Sequence, residues 1–384
     1  MRKWGIIFSL LSIINLYNCS DNNKNLKVID LQKFSKDKTV ALEERYNEYF
    51  TEYKAVFLEK TDSFSQKDVK QIISIENDLF ILIKSQIRRY NLITGHLDNS
   101  FQTQNSIYEF ISFDIDTVNK KIYALDAKST KIISLDTLGN SHDEFKLDPK
   151  YKYDQLVLLD KSHILITTCS LTVPVTFVAD LGGKSIKQID NPSKKSFTPD
   201  KQLYDTIHKK IAPINICSRS NSGVLVKYLF DNIVYRYNNE TKEPVFIVKI
   251  NKANKPRLIK KTIPSKLGQI VLSGLWQLSE DKWLLRWSKK MEYKGSLTSI
   301  QIFTICNNQM EVYNNTVSYN TTIMEWYKPG TVFSIGAYDL IFVNTKEKKL
   351  FKVMSNNLSG IKLPEYLNYY EPKSNLLICY YVVK

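Results

Sequence analysis

Glycine and proline are scarce, at 12 and 11 of 384 residues. That excludes collagen-like chains, which need glycine at every third position, and long proline-rich spacers. Histidine is scarcer still: His96, His142, His163 and His208 are all there are. No two stand at metal-ligand spacing and no HExxH is present, so each is read as a surface or structural side chain. GxSxG, a Walker loop and GxGxxG are missing, which removes the sequence signals of an α/β-hydrolase, a P-loop enzyme and a dinucleotide-binding fold. Beyond residue 19 no apolar run approaches the roughly 20 residues that cross a bilayer as a helix. Helical periodicity is nearly absent as well.

Positive charge and aromatic rings are plentiful. Lys and Arg outnumber Asp and Glu by 54 to 39, a formal net charge of +15. Such an excess fits acidic partners of several kinds, but the lysines are scattered, as on a solvated surface. The densest basic run, 249–261 (KINKANKPRLIKK), carries Lys249, Lys252, Lys255, Arg257, Lys260 and Lys261. It lacks the interleaved aromatics on which bases stack, so nucleic acid is not an expected partner. A solvated loop, or contact with an anionic glycan or lipid headgroup, is the reading it leaves. The 23 Tyr and 18 Phe favour pleated, half-buried surfaces.

The N-terminus has the grammar of an export signal. Arg2 and Lys3 precede an apolar stretch from Trp4 to Tyr17, too short for a stable bilayer span. Asn18-Cys19-Ser20 ends it, and a polar run follows at Asp21-Asn22-Asn23-Lys24-Asn25. A cysteine at that place resembles the lipobox of bacterial lipoproteins, here Leu16-Tyr17-Asn18-Cys19, although Tyr17 and Asn18 are larger than the small residues usual before the cysteine. The resemblance implies cleavage before Cys19, a lipid on its sulfur and membrane attachment, since several acyl chains on one residue anchor durably. The expected division is a signal peptide over 1–18, a lipid-anchored flexible tether over 19–39 and a globular body over 40–384. Residues 40–52 read as a short helical or irregular lead-in.

The body alternates strand and turn. Lys121–Asp126 and Lys131–Asp136 are short runs rich in β formers, each ending in Asp, which suits a turn. The plan recurs at Val69–Ile75, Asp78–Lys84 and Gln86–Leu92. It recurs at Asp154–Leu159, His163–Thr168, Val173–Ala179 and Ser185–Ile189, then at Ile214–Cys217, Gly223–Leu229, Asn232–Tyr237 and Pro244–Ile250. A fifth copy runs through Leu272–Leu278, Lys282–Trp287, Ser299–Cys306 and Met310–Val317. A sixth includes Thr331–Ile335, Asp339–Val343 and Lys349–Val353. Repeats of four short strands at this period predict an all-β, six-bladed β-propeller with four-stranded antiparallel blades. A blade cannot bury both faces alone, so the ring must close, and Tyr53–Lys60 with Asn375–Val383 are the expected closing strands.

Site chemistry is thin. Asp114, Asp116, Asp126 and Asp136 read as turn residues and not as paired catalytic carboxylates. Cys169, Cys217, Cys306 and Cys379 end apolar strands; two disulfides in three connectivities, or buried free thiols, both fit the spacing. Trp283 and Trp287 share one strand face and read as inter-blade packing, with Arg286 on the other face. Trp276, Arg286, Trp326 and Tyr327 are the candidate ligand-binding residues. No catalytic residue, metal ligand or cofactor is assigned.

Val28–Leu31 with Tyr53–Thr61, the pairs Asp78–Lys84 with Ile87–Asn91 and Ile122–Asp126 with Ile132–Gly139, and the terminal Asn375–Lys384 together resemble the exported bacterial lipoproteins with six-bladed, NHL-like propellers. The resemblance implies a cell-envelope lipoprotein of the outer membrane. The leading expectation is a non-catalytic protein binding a glycan, peptide or protein partner through its propeller mouth. The alternatives are a channel-centred lyase or hydrolase, disfavoured by apolar innermost strands, and a structural accessory of an outer-membrane assembly.

Overall fold

The structure is a computed structural model and describes residues 26–31, 39–40, 50–59, 64, 68–101, 108–168, 175–182, 185–189, 216–220, 222–228, 233–239, 241–249, 270–293, 296–310, 318–319, 340–345, 347–355 and 376–383. The described residues form six sheets arranged as the blades of a propeller. Blade 1 is Val69–Ile75, Asp78–Ile83, Gln86–Asn91 and Leu97–Phe101; blade 2 is Phe110–Asp116, Lys121–Asp126, Lys131–Asp136 and Ser141–Lys146. Blade 3 is Tyr153–Leu158, His163–Thr168, Thr176–Asp180 and Ile186–Ile189; blade 4 is Ile216–Ser220, Gly223–Lys227, Ile233–Tyr237 and Lys242–Val248. Blade 5 is Ile270–Gln277, Trp283–Tyr293, Ser296–Cys306 and Ser318–Tyr319. Blade 6 is Leu340–Asn344, Lys349–Ser355 and Leu376–Val383, completed by Phe50–Phe57. Within every blade these strands are antiparallel and, save for Phe50–Phe57 at the outside of blade 6, in chain order from the innermost outward; innermost strands of successive blades touch from blade 6 through 1, 2, 3 and 4 to 5.

Why the middle strands are apolar throughout follows from this stacking. In Asp78–Ile83, Leu79, Ile81 and Ile83 pack toward blade 6, while Phe80 and Leu82 pack toward blade 2. A sheet covered on both faces has no polar side to show, so the period-2 signal turns into a continuous apolar run. Each fully buried Leu, Ile or Phe contributes roughly 1.5–3 kcal/mol. Outermost strands are wet: Ser141–Lys146 is almost wholly exposed. The aspartates at strand ends cap the connecting turns. Asp116 Oδ1 accepts from the Val118 and Asn119 amides at 2.9 and 3.2 Å, and Asp136 Oδ1 accepts from Leu138 and Asn140 at 2.9 and 2.8 Å.

Ring closure joins the two chain ends, as the strand patterns predict. Phe50–Phe57 lies antiparallel to Leu376–Val383, with Ala55 opposite Cys379. Two expectations about boundaries need correction, and two others fall wholly or largely outside the described residues. The lead-in 40–52 ends in strand, because Phe50–Glu52 belongs to the closing strand, and residues 41–49 fall outside the described set. The expected tether 19–39 is partly sheet: Lys27–Ile29 adds a fifth, parallel strand outside blade 4, and Thr39–Val40 does the same outside blade 5. Ile29 and Leu31 are buried among blade 4 and 5 side chains, and that apolar burial draws the segment onto the body. The described fourth strand of blade 5 is Ser318–Tyr319; of the expected Met310–Val317 only Met310 is described, buried at a bend with φ of 61°, and 311–317 lie outside the described residues. Thr331–Ile335 lies outside the described residues, and the innermost strand of blade 6 is Leu340–Asn344.

Candidate functional site

The innermost strand of a blade is a sheet edge whose outward N–H and C=O groups need partners. Here side chains supply them from the neighbouring blade. Blades 1 and 2 each carry a β-bulge early in the innermost strand, between Val69 and Gln71 and between Phe110 and Ser112. The residue after each bulge serves the next blade. Gln71 Nε2 donates to Phe113 O at 2.6 Å while its Oε1 accepts from Phe113 N at 3.0 Å. Ser112 Oγ accepts from Leu156 N at 3.1 Å and donates to Leu156 O at 3.4 Å. Further round, Ser218 donates to the Leu275 carbonyl, and Asn344 Nδ2 donates to Ser74 O at 2.7 Å. Glu347 accepts from the Ser74 hydroxyl and, at 2.6 Å, from the Glu76 amide, with Lys349 Nζ at 2.9 Å. Polar residues of the innermost strands thus fasten blade to blade.

One group goes further. Asp114, on the innermost strand of blade 2, accepts from Leu158 N of blade 3 at 2.8 Å through Oδ2. The same oxygen accepts from Arg219 of blade 4, from Nε at 3.1 Å and Nη2 at 2.7 Å. Blades 2 and 4 therefore meet across the innermost strand of blade 3. The Asp114 side chain is 10% exposed and the Arg219 side chain 22%. A charge-assisted pair in so sheltered a place is held firmly, and its rigidity fixes the orientation of the guanidinium. Arg219 Nη1 makes no hydrogen bond among the described residues. Cys217, two residues before Arg219 and on the same strand face, has its thiol pushed up by burial and by the nearby Asp154 and Asp114 charges, with Arg219 acting the other way. Its thiolate is suppressed at neutral pH.

This corrects the sequence reading of Asp114. Asp116, Asp126 and Asp136 do cap turns, whereas Asp114 sits within a strand and faces blade 3. The innermost strands look apolar in sequence, but their few polar positions reach the backbone of the neighbouring blade. The bulge-plus-polar pattern at Gln71 and Ser112 is a local signal that sequence analysis passed over. The partnership of Asp114 with Arg219, 105 residues apart, has no local signal.

Of the four candidate binding residues, the structure brings two together. At the position after its own bulge, blade 5 has Gly274. A Cβ there would run into the Trp276 ring, so the glycine makes room for the indole to fold back onto the strand. Arg286 stands opposite Gly274 in the register and sets its guanidinium over that indole, 5.3 Å from a ring centroid. Burial pushes the Arg286 pKa down to about 10, so it stays charged at neutral pH and gains from the cation–π contact. Trp276 is half-buried on the face away from blade 4. Trp326, Tyr327, Cys19 and Cys169 lie outside the described residues. Trp283 and Trp287 pack between blades 4 and 5, as expected from their spacing. Cys217, Cys306 and Cys379 are free thiols, which resolves the open cysteine question for those three. Among the described residues no cluster of three or more metal-ligating side chains is present. His96, His142 and His163 lie near the carboxylates of Glu59, Asp136 and Asp160 at 2.7, 3.7 and 2.9 Å.

No family model and no curated protein matches the sequence. Solved structures do match its fold. A protein described as exported, from Bacteroides fragilis, overlays with a TM-score of 0.58 at 16% identity, covering 93% of this chain and 99% of its own. A member of the DUF4221 family from Bacteroides vulgatus gives 0.51 at 10% identity, covering 87% and 97%. A virginiamycin B lyase from Staphylococcus aureus lies farther off, at 0.48 and 10% identity, covering 86% and 100%. At these identities the likeness is one of fold.

Proposed function

We propose that this chain is an exported cell-envelope lipoprotein, held at the outer membrane through Cys19, that binds an acidic group of a glycan, peptide or protein partner at its propeller mouth without transforming it. The observation that carries the reading is Arg219. Its guanidinium is oriented by Asp114 through two of its nitrogens, keeps 22% of its side chain exposed, and has an Nη1 that no described residue engages. A planar guanidinium with one edge held and another edge open suits a carboxylate. The net charge of +15 favours the approach of an acidic partner from a distance. Engagement of Gln71, Ser112, Ser218 and Asn344 with neighbouring backbones supports a binding role over a reacting one. The basic, then apolar, then cysteine order of residues 2–19 supports export and anchoring.

The test is a thermal-shift and calorimetric screen of the chain starting at Ser20 against acidic glycans and peptides, paired with their uncharged counterparts. An acidic member should raise the melting temperature by mass action. A hydrogen bond to a charged group contributes about 1.5–3 kcal/mol, so Arg219→Gln should weaken that binding roughly 10- to 100-fold. The double variant Asp114→Asn with Arg219→Gln avoids stranding a buried carboxylate and serves as the folded reference. Equal affinity for the uncharged counterparts, or undiminished binding by folded Arg219→Gln, refutes the reading.

A further inference from the structure

We infer that the rim of blade 4 faces the lipid surface and that blade 1, across the ring, points away from it. This rests on the anchoring of Cys19 proposed above. Three observations carry it. Lys27–Ile29 is the outermost strand of blade 4, paired in parallel with Phe246–Val248. The segment is secured there: Ile29 and Leu31 are buried with Phe246, Trp283 and Trp287, and Asp30 pairs with Lys249 Nζ at 2.8 Å. Only eight residue steps separate Cys19 from Lys27. Whatever path they take, those steps reach no farther than about 29 Å.

The geometry then restricts the molecule. A compact body of this size is about 50 Å across by the scaling of radius with chain length. Standing on the blade 1 rim would lift the blade 4 rim a full diameter above the membrane, which the leash forbids; between lying flat and standing on blade 4, the rim charge decides. The charge at the rim agrees in sign. Lys27 is exposed, and Lys249, where the basic run 249–261 begins in sequence, keeps 61% of its side chain exposed. Lysines close to an anionic bilayer are drawn to its surface. Leash and charge therefore act together, and the opposite rim, blade 1 flanked by blades 2 and 6, is the one presented outward.

Photo-cross-linking of the full-length, lipidated chain in vesicles of phosphatidylethanolamine and phosphatidylglycerol tests this. A photoreactive residue replaces Glu243, on the exposed fourth strand of blade 4, or Asp98, on the fourth strand of blade 1. Lipid adducts should form at least five-fold more from position 243 than from position 98. Insertion of twenty Gly/Ser residues between Ser20 and Asp21 should lower that ratio, leaving only the bias set by the rim charge. Equal yields from the uninserted chain, with mass spectrometry confirming lipid on Cys19, overturn the orientation and leave the anchor standing. A bias that survives the insertion undiminished overturns the role of the leash. Absence of lipid on Cys19 overturns both this inference and the anchoring it rests on.

Discussion

Replacing Trp287 should open the seam between blades 4 and 5. The indole is fully buried, stands opposite Leu272 and Ile302, and packs with Leu225, Val234 and Phe246 of blade 4. Its Nε1 donates to Thr304 Oγ1 at 2.9 Å, and Thr304 is itself buried. Truncating a buried Trp to Ala costs about 3–5 kcal/mol in lost transfer energy and cavity formation. Loss of the hydrogen bond adds about 1 kcal/mol. The sum, about 4–6 kcal/mol, is a large part of the 5–15 kcal/mol by which a domain is ordinarily stable. Trp287→Phe keeps a ring in the gap and loses the donor, so about 1–2 kcal/mol is expected. Urea unfolding followed by far-UV circular dichroism measures both, because that signal does not depend on the residue removed. Native-state hydrogen exchange should place the lost protection in Val224–Val226 and Leu284–Leu285 first. A loss below about 1 kcal/mol for Trp287→Ala would show that the ring is not held by packing at this seam.

Two further outcomes follow from local geometry. Gly95 has φ of 73° and sits against the Phe57 backbone carbonyl, so Gly95→Ala combines backbone strain with a collision at the closing strand; a fall in the urea midpoint equivalent to about 2–4 kcal/mol is expected, and an unchanged midpoint would disprove the contact. Tyr153 has its pKa raised to about 12, first by burial and then by the Asp148 charge. A phenol that holds its proton more tightly when folded stabilises the native state below its unfolded pKa near 10 and loses that contribution as pH climbs through 12. Stability should therefore decline between pH 10 and 12, less so in Tyr153→Phe, with phenolate absorbance as the readout; an identical decline in the variant would remove Tyr153 as a cause.

The strand plan was legible because blades are local. Asp78–Ile83 and Gln86–Asn91 are joined by two residues, and their apolar character and turn chemistry lie within one short window. Lys121–Asp126 and Lys131–Asp136 were legible for the same reason, as was the closure between the first and last body strands, each apolar and β-rich without a partner nearby. Less legible were the additions outside blades 4 and 5. Strands of three and two residues are too short to leave a periodic signal, and their parallel pairing comes from distant chain.

Composition and local pattern alone determined that this is an all-β chain of repeated modules, rich in positive charge and led by an export-like segment, because turn residues and strand formers act over a few neighbouring positions. Tertiary structure decided which polar side chains matter. Asp114 was one aspartate among several in the sequence, and Arg219 one of many cations; folding set them on either side of the innermost strand of blade 3, where two opposite charges sheltered from water hold each other in place. Gly274 likewise had no evident purpose until the fold laid the Trp276 indole over it and Arg286 over the indole. Such relations depend on closing a ring, and a ring is a property of the whole chain that no window of sequence contains.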